Sequence, residues 1–215
     1  MAGYFISFEG IDKSGKSTQA RHLTDHLRSR GYGVVDTHEP GGTDLGLQIR
    51  HLLLTWKPDG RVDARAELLL FAADRAQHVA EVIRPALAQN KVVITDRYVD
   101  STMAYQGFGR GLDLADLQRI QDIATGGLMP DLTVLVEVDV ATARARYGKG
   151  RADRLESEDN ALFQKVMAGY THLCDRSPDR FLKVDGSGAI GPISKQILAV
   201  VESRLTSEHL AAAVV

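Results

Sequence analysis

The sequence predicts a doubly wound α/β domain, a mainly parallel sheet with helices on both faces. Two observations carry this. Short apolar runs at 4–8, 34–37, 92–95, 132–138 and 181–184 have the unbroken character of strands buried on both sides. Between them lie longer stretches with helical spacing, so strand and helix alternate along the chain.

The elements follow in order. After the run at 4–8, good helix formers extend over 17–30 and stop at Gly31. The run at 34–37 leads into a Pro-Gly-Gly turn, and Thr43 is placed to cap a short helix carrying Arg50. A long helical pattern covers 61–89, with Pro85 expected to break it near its end. The run at 92–95 precedes a polar helix, then a helix over 113–125 stopped by Gly126 and Gly127. After the run at 132–138, a helix over 156–175 precedes Pro178, and the pattern at 193–205 closes the fold. Residues 207–215 read as a frayed tail.

Length and composition set limits. The chain has 215 residues, which suits one domain spanning 1–215, and 44% hydrophobic content suits a packed core. A chain of this size buries roughly 70% of its unfolded surface without staples. Twenty-six Lys and Arg against 28 Asp and Glu leave a net charge of −2, which argues against a nucleic-acid or membrane-surface binder. The one cysteine, Cys174, forms no intrachain disulfide, as expected in a reducing cytoplasm. No run approaches the roughly 18 apolar residues of a membrane span, and the N-terminal residues lack a secretory signal pattern.

Ligands of open α/β sheets bind beyond the carboxyl ends of strands. Immediately after the first strand comes GIDKSGKS, Gly10 to Ser17, which fits G-x-x-x-x-G-K-[ST]. Gly10 and Gly15 permit tight turns and close approach of a phosphate. The amides of Ile11, Asp12, Lys13 and Ser14, at the positive end of the next helix, form an anion nest. Lys16 is placed to bridge β- and γ-phosphates, and Ser17, with Thr18 beside it, to offer an oxygen to Mg²⁺. Lys13 adds a cation that can meet charge on a transferred phosphoryl group.

The strand at 92–95 runs into Asp96-Arg97, a carboxylate that can orient a Mg²⁺ shell next to such a loop. Arg97, Ser101 and Tyr105 follow at i, i+4 and i+8, one face of a helix. On the long helix Phe71 and Arg75 are four apart, an aromatic ring and a guanidinium suited to stacking on and hydrogen bonding a base. The segment from Arg144 to Asp159, rich in Arg, Lys and Gly, has little to bury and reads as an exposed lid that carries cations. An Asn-Lys-x-Asp guanine motif is missing: Asn90-Lys91-Val92-Val93 lacks the aspartate, which disfavours a GTP-driven switch.

Taken in order, FEGIDKSGKST, HEPGGT, ELLLFAADRAQH, TDRYVDSTMAYQG, PDLTVLVEVD and DRLE resemble the bacterial-type thymidylate kinase family. The resemblance implies a P-loop NTPase fold, three-layer α/β/α, with a five-stranded parallel sheet and a short lid. It implies transfer of the ATP γ-phosphoryl group to thymidine monophosphate (dTMP), a Mg²⁺ requirement and a homodimer. By motif position, Asp12 falls near the acceptor, and Glu39 and Pro40 beside acceptor and metal. Arg50 and Arg97 fall on the acceptor phosphate, Phe71 and Arg75 on thymine, and Ser101 and Gln106 on the base. Tyr105 falls at the 2′ position, and Arg144 and Arg154 on the ATP side. The family places its extra catalytic cation in the phosphate loop or in the lid. This chain has Lys13 in the loop and Lys149, Arg151 and Arg154 in the lid segment, so the resemblance leaves that choice open.

Overall fold

The computed structural model describes residues 3–56, 62–146 and 159–205. Five strands form one sheet: β1 (Tyr4–Glu9), β2 (Val34–His38), β3 (Val92–Asp96), β4 (Leu132–Glu137) and β5 (Phe181–Asp185). All pairings are parallel, in the order β2-β3-β1-β4-β5, with Tyr4 opposite Val92 and Ile6 opposite Leu132. Each apolar run of the sequence is one of these strands. β1, β3 and β4 are almost wholly buried, because helices cover both faces.

Helices α1 (Lys16–Ser29) and α9 (Ile190–Arg204) cover one face, where Leu23, Leu27, Ile197 and Val201 pack on Ile6, Phe8, Ile94 and Val134. The other face carries α2 (Asp44–Arg50), α3 (Ala64–His78), α4 (Arg84–Ala88), α5 (Val99–Thr102), α6 (Leu114–Thr125), α7 (Val140–Ala145) and α8 (Asn160–Arg176). There Ile83, Leu87 and Tyr98 meet Phe5 and Val93, while Phe163, Val166 and Tyr170 pack with Leu135 and Phe181.

Local chemistry sets the helix ends. Thr43 caps α2 by accepting from Gly46, Asp113 caps α6, and Asp159 caps α8 through Leu162 at 2.8 Å. α6 stops at Gly126 with φ 58°, as its glycine pair predicts. Pro85 does not break the long helix. A π-helical turn over Val79–Ile83 lies just before it and leads into α4, where Pro85 occupies the first turn. Widening the preceding turn removes the clash between a proline ring and the carbonyl four residues back. α9 begins at Ile190, earlier than the periodicity suggests, because Pro192 is tolerated in its first turn. Short α7 escapes the sequence reading, and the remainder of the expected lid, 147–158, lies outside the described residues.

The topology puts the ends of β1 and β3 side by side. The phosphate loop after β1 and Asp96-Arg97 after β3 therefore open into one crevice. Among the described residues no helix is long and apolar enough to cross a membrane.

Candidate active site

The loop between β1 and α1 has its backbone wound to point amides inward, with positive φ at Gly10 (137°), Lys13 (63°) and Gly15 (102°). Gly10 cannot be replaced without conflict, because an added Cβ would lie 2.4 Å from the Val136 carbonyl. Lys16 is buried, its Nζ 3.5 Å from Asp12 and 3.9 Å from Asp96. The Ser17 hydroxyl donates to Asp96 Oδ2 in a short hydrogen bond, while Asp96 Oδ1 is buried and makes no hydrogen bond.

This loop lines a cleft of about 1200 Å³ with Gln19, Arg146, Gly186, Gly188 and Ile190. A second cleft, about 610 Å³, is lined by Glu39, Pro40, Arg50, Leu54, Phe71, Arg75, Arg97, Ser101, Tyr105 and Gln106 among others. Asp12 lines both. Two chambers thus meet at one carboxylate, beside the loop built for phosphate.

Arg97, Ser101 and Tyr105 converge, but not as one helix face. Arg97 precedes α5 with φ 76°, and Tyr105 sits in a π-helical turn over Met103–Gly109. The Arg97 guanidinium reaches Asp12 at 2.7 Å, Ser101 at 3.0 Å and the Tyr105 hydroxyl at 3.4 Å. Burial alone would raise the Asp12 pKa, but Arg97 and Lys16 override it and hold the carboxyl well below its usual range. Asp12 is therefore an anion between two cations. Behind it Glu9 is fully buried and accepts from the Tyr98 amide, Ser101 and Tyr170. Burial, then neighbouring Asp100, pushes its pKa up.

Arg75 lines the second cleft, yet it is only 1% exposed, and most of its donors face protein. Its Nε and Nη2 contact Glu39 at 2.8 and 2.7 Å, and its Nη1 donates to Thr102 at 2.9 Å and to Gln121. The other Glu39 oxygen meets His78 Nδ1 at 2.9 Å, and His78 Nε2 meets Thr37 at 2.7 Å. Both Glu39 oxygens are thus occupied by ion-pair and histidine contacts. Ser17 and Asp96 are brought together at the phosphate loop, while Glu39 lines the second cleft. Arg50 donates to the Pro40 carbonyl at 2.7 Å and spans the same loop.

Asp74 supports that loop from α3, with Oδ1 accepting from the Gly41 amide at 2.9 Å and Oδ2 buried without a hydrogen bond. Burial, then Glu39, raises its pKa to about 6. Ionising a carboxyl moved from its ordinary 3.8 to about 6 costs about 3 kcal/mol. A raised folded-state pKa means that the folded form holds the proton more tightly. Asp74 therefore destabilises the fold as pH rises from about 4 to about 6. The Asp74→Asn variant can still accept from Gly41 and lacks this cost. Denaturant titrations should find it more stable than the parent at pH 8, by up to about 3 kcal/mol, with the gap closing near pH 4. A gap independent of pH would rule this out.

Sequence reasoning missed several residues. Arg146, not its neighbour Arg144, lines the phosphate-loop cleft, donating to the Lys13 and Ser14 carbonyls at 3.2 and 3.1 Å and to Gly186 at 2.8 Å. Arg144 lies over the Phe163 ring and contacts Asn160 at 3.2 Å. Asp74 and His78, four apart on α3, had a readable signal in their spacing, whereas Glu9 had none. Lys149, Arg151 and Arg154 lie outside the described residues.

Comparison with known proteins decides the family. The thymidylate kinase family model matches residues 8–197. The chain belongs to the thymidylate kinase family. It is 46% identical to a thymidylate kinase of a Nostoc species over 212 residues, covering 98% of both chains. It is 48% identical to that of Leifsonia xyli over 205 residues, covering 94% of this chain and 96% of the relative. The crystal structure of a thymidylate kinase from Ehrlichia chaffeensis superposes with a TM-score of 0.76 at 31% identity, covering 94% of this chain and all of that one. The P-loop α/β/α fold expected from the sequence is the fold this family shares.

Proposed function

We infer that this chain transfers the γ-phosphoryl group of ATP to dTMP, giving ADP and thymidine diphosphate. The carrying observation is the pair of clefts meeting at Asp12, one lined by the phosphate loop and one by two aromatic rings and three arginines. ATP occupies the first, its phosphates on the loop amides and Lys16. dTMP occupies the second, its phosphate against Arg97 and Arg50, its ring on Phe71 and its carbonyl at Arg75. Tyr105 crowds the sugar, and Ser101 and Gln106 complete the base side. Asp12, held ionised by Arg97 and Lys16, accepts from the acceptor side and keeps both cations in register.

Phosphoryl transfer needs little covalent help from the protein. It needs the two oxygens in line, charge neutralised and water excluded. Lys16 and Lys13 supply cations from the loop, with Arg151 and Arg154 of the lid segment as the alternative source. The residues that fit Mg²⁺ are Ser17 and Asp96, hard oxygen donors, with Asp96 Oδ1 making no hydrogen bond. Among the described residues no group of three His, Cys, Asp or Glu side chains is placed to hold a metal ion. Bound Mg²⁺ would neutralise charge on the β- and γ-phosphates.

The working form is a cytoplasmic homodimer that engages nucleotides rather than nucleic acid. Supporting the dimer, Leu45, Leu69 and Ile123 on the packed helices α2, α3 and α6 are 50%, 57% and 84% exposed. The assay is ADP release with Mg-ATP and each nucleoside monophosphate in turn. dTMP should give the highest kcat/KM. Equal rates with uridine, cytidine or guanosine monophosphate would refute the assignment.

A further inference from the structure

We propose that Glu67 is a positioning residue that fixes which face of the Gln106 side-chain amide meets the base, and thereby selects a base carrying a ring N–H. This rests on the second cleft being the acceptor nucleotide site. Gln106 lines that cleft from the π-helical turn, and Glu67 lies in the first turn of α3. The Gln106 Nε2 donates to Glu67 Oε1 at 2.8 Å, and both side chains are buried, with Glu67 1% and Gln106 2% exposed. Arg110 holds the carboxylate from the other side, at 3.4 and 3.5 Å to its two oxygens.

A side-chain amide can present either end to a ligand, and the choice is made by its fixed neighbour. A carboxylate only accepts hydrogen bonds. Turning the Gln106 amide over would set its oxygen against the Glu67 oxygen in a buried site, losing a hydrogen bond and adding repulsion. One amide N–H is therefore committed to Glu67, and the nitrogen end, not the oxygen, is turned to that carboxylate. With the amide held in that sense, its Oε1 is the acceptor available to a base in the cleft that Gln106 lines. Arg75 faces the same cleft with one Nη2 hydrogen taken by Glu39. A donor and an acceptor lining one cleft match a base with a carbonyl oxygen next to a ring N–H, as in thymine and uracil. Cytosine presents the inverse, an amino group next to a bare ring nitrogen.

The experiment compares wild type with Glu67→Gln, reading kcat/KM for dTMP against deoxycytidine monophosphate (dCMP). A glutamine at 67 can pair with either orientation of Gln106, so the dTMP:dCMP ratio should fall by about tenfold or more, through KM. A smaller fall overturns the proposal. Loss of a merely structural ion pair would lower both substrates alike and leave the ratio unchanged. If Glu67→Gln does not fold, as judged by circular dichroism, the reciprocal Glu67→Gln/Gln106→Glu exchange is read instead. It keeps a hydrogen bond between the two positions and an acceptor toward the base, so the dTMP preference should stay within about tenfold of wild type. Loss of the preference in that double variant overturns the proposal. Calorimetric titration of both nucleotides without ATP separates the two readings. A wild type that binds dTMP but does not phosphorylate it would refute the activity while leaving the Glu67 comparison readable.

Discussion

Replacing Lys16 with alanine is expected to lower kcat about a thousandfold, with circular dichroism and dTMP binding little changed. Its Nζ is the buried cation nearest both Asp12 and Asp96, at 3.5 and 3.9 Å. Truncation does more than remove a phosphate contact. It leaves two carboxylates facing the position of the β- and γ-phosphates with one neutralising charge fewer. That penalty grows as charge builds in the transition state, so it appears in kcat rather than in KM. The measurement is single-turnover ADP formation at saturating Mg-ATP and dTMP. A loss under tenfold would mean that the loop amides and remaining cations suffice, and Lys16 would lose its central place.

The parts legible in the sequence are those set by local rules. Each strand was readable because parallel strands between helix layers must be apolar on both faces. The phosphate loop was readable because few residue types permit that backbone at that spacing. Thr43 announced its helix by capping chemistry. What stayed hidden depends on contacts between distant elements. The spacing of Arg97 suits a helix face, yet its backbone turns left-handed just before α5, where its amide donates to the Phe8 carbonyl at 2.9 Å. Pro85 looks like a breaker in the sequence because a π-helical turn has no reliable sequence mark. Glu39 carried a family expectation of metal or acceptor contact, but which partners take its oxygens depends on how α3 packs beneath the loop. Net charge was the least informative quantity. Lys16, Arg50, Arg75, Arg97 and Arg146 gather at the two clefts in a chain whose formal charge is −2.

Arg75→Ala should destabilise the fold by about 3–5 kcal/mol besides weakening dTMP binding. From the sequence alone Arg75 is a base-reading guanidinium, and its loss would be a KM effect. In the structure it is also the buried counter-ion of Glu39, packed 5.3 Å from the Tyr98 ring centre. Truncation strands the Glu39 carboxylate in the core with only His78 beside it. The two roles separate by replacing both partners. Glu39→Gln/Arg75→Met removes the stranded charge and refills the volume, so it should recover most of the lost stability, as replacement of whole buried ion pairs commonly does. It restores no donor to the cleft, so the dTMP KM should remain raised by about tenfold. Thermal melts and steady-state kinetics on the single and double variants test both statements. If the double variant regains stability and KM together, Arg75 acts on the nucleotide only by holding the loop in place. If it regains neither, the Glu39 pairing is not the source of the single variant's instability.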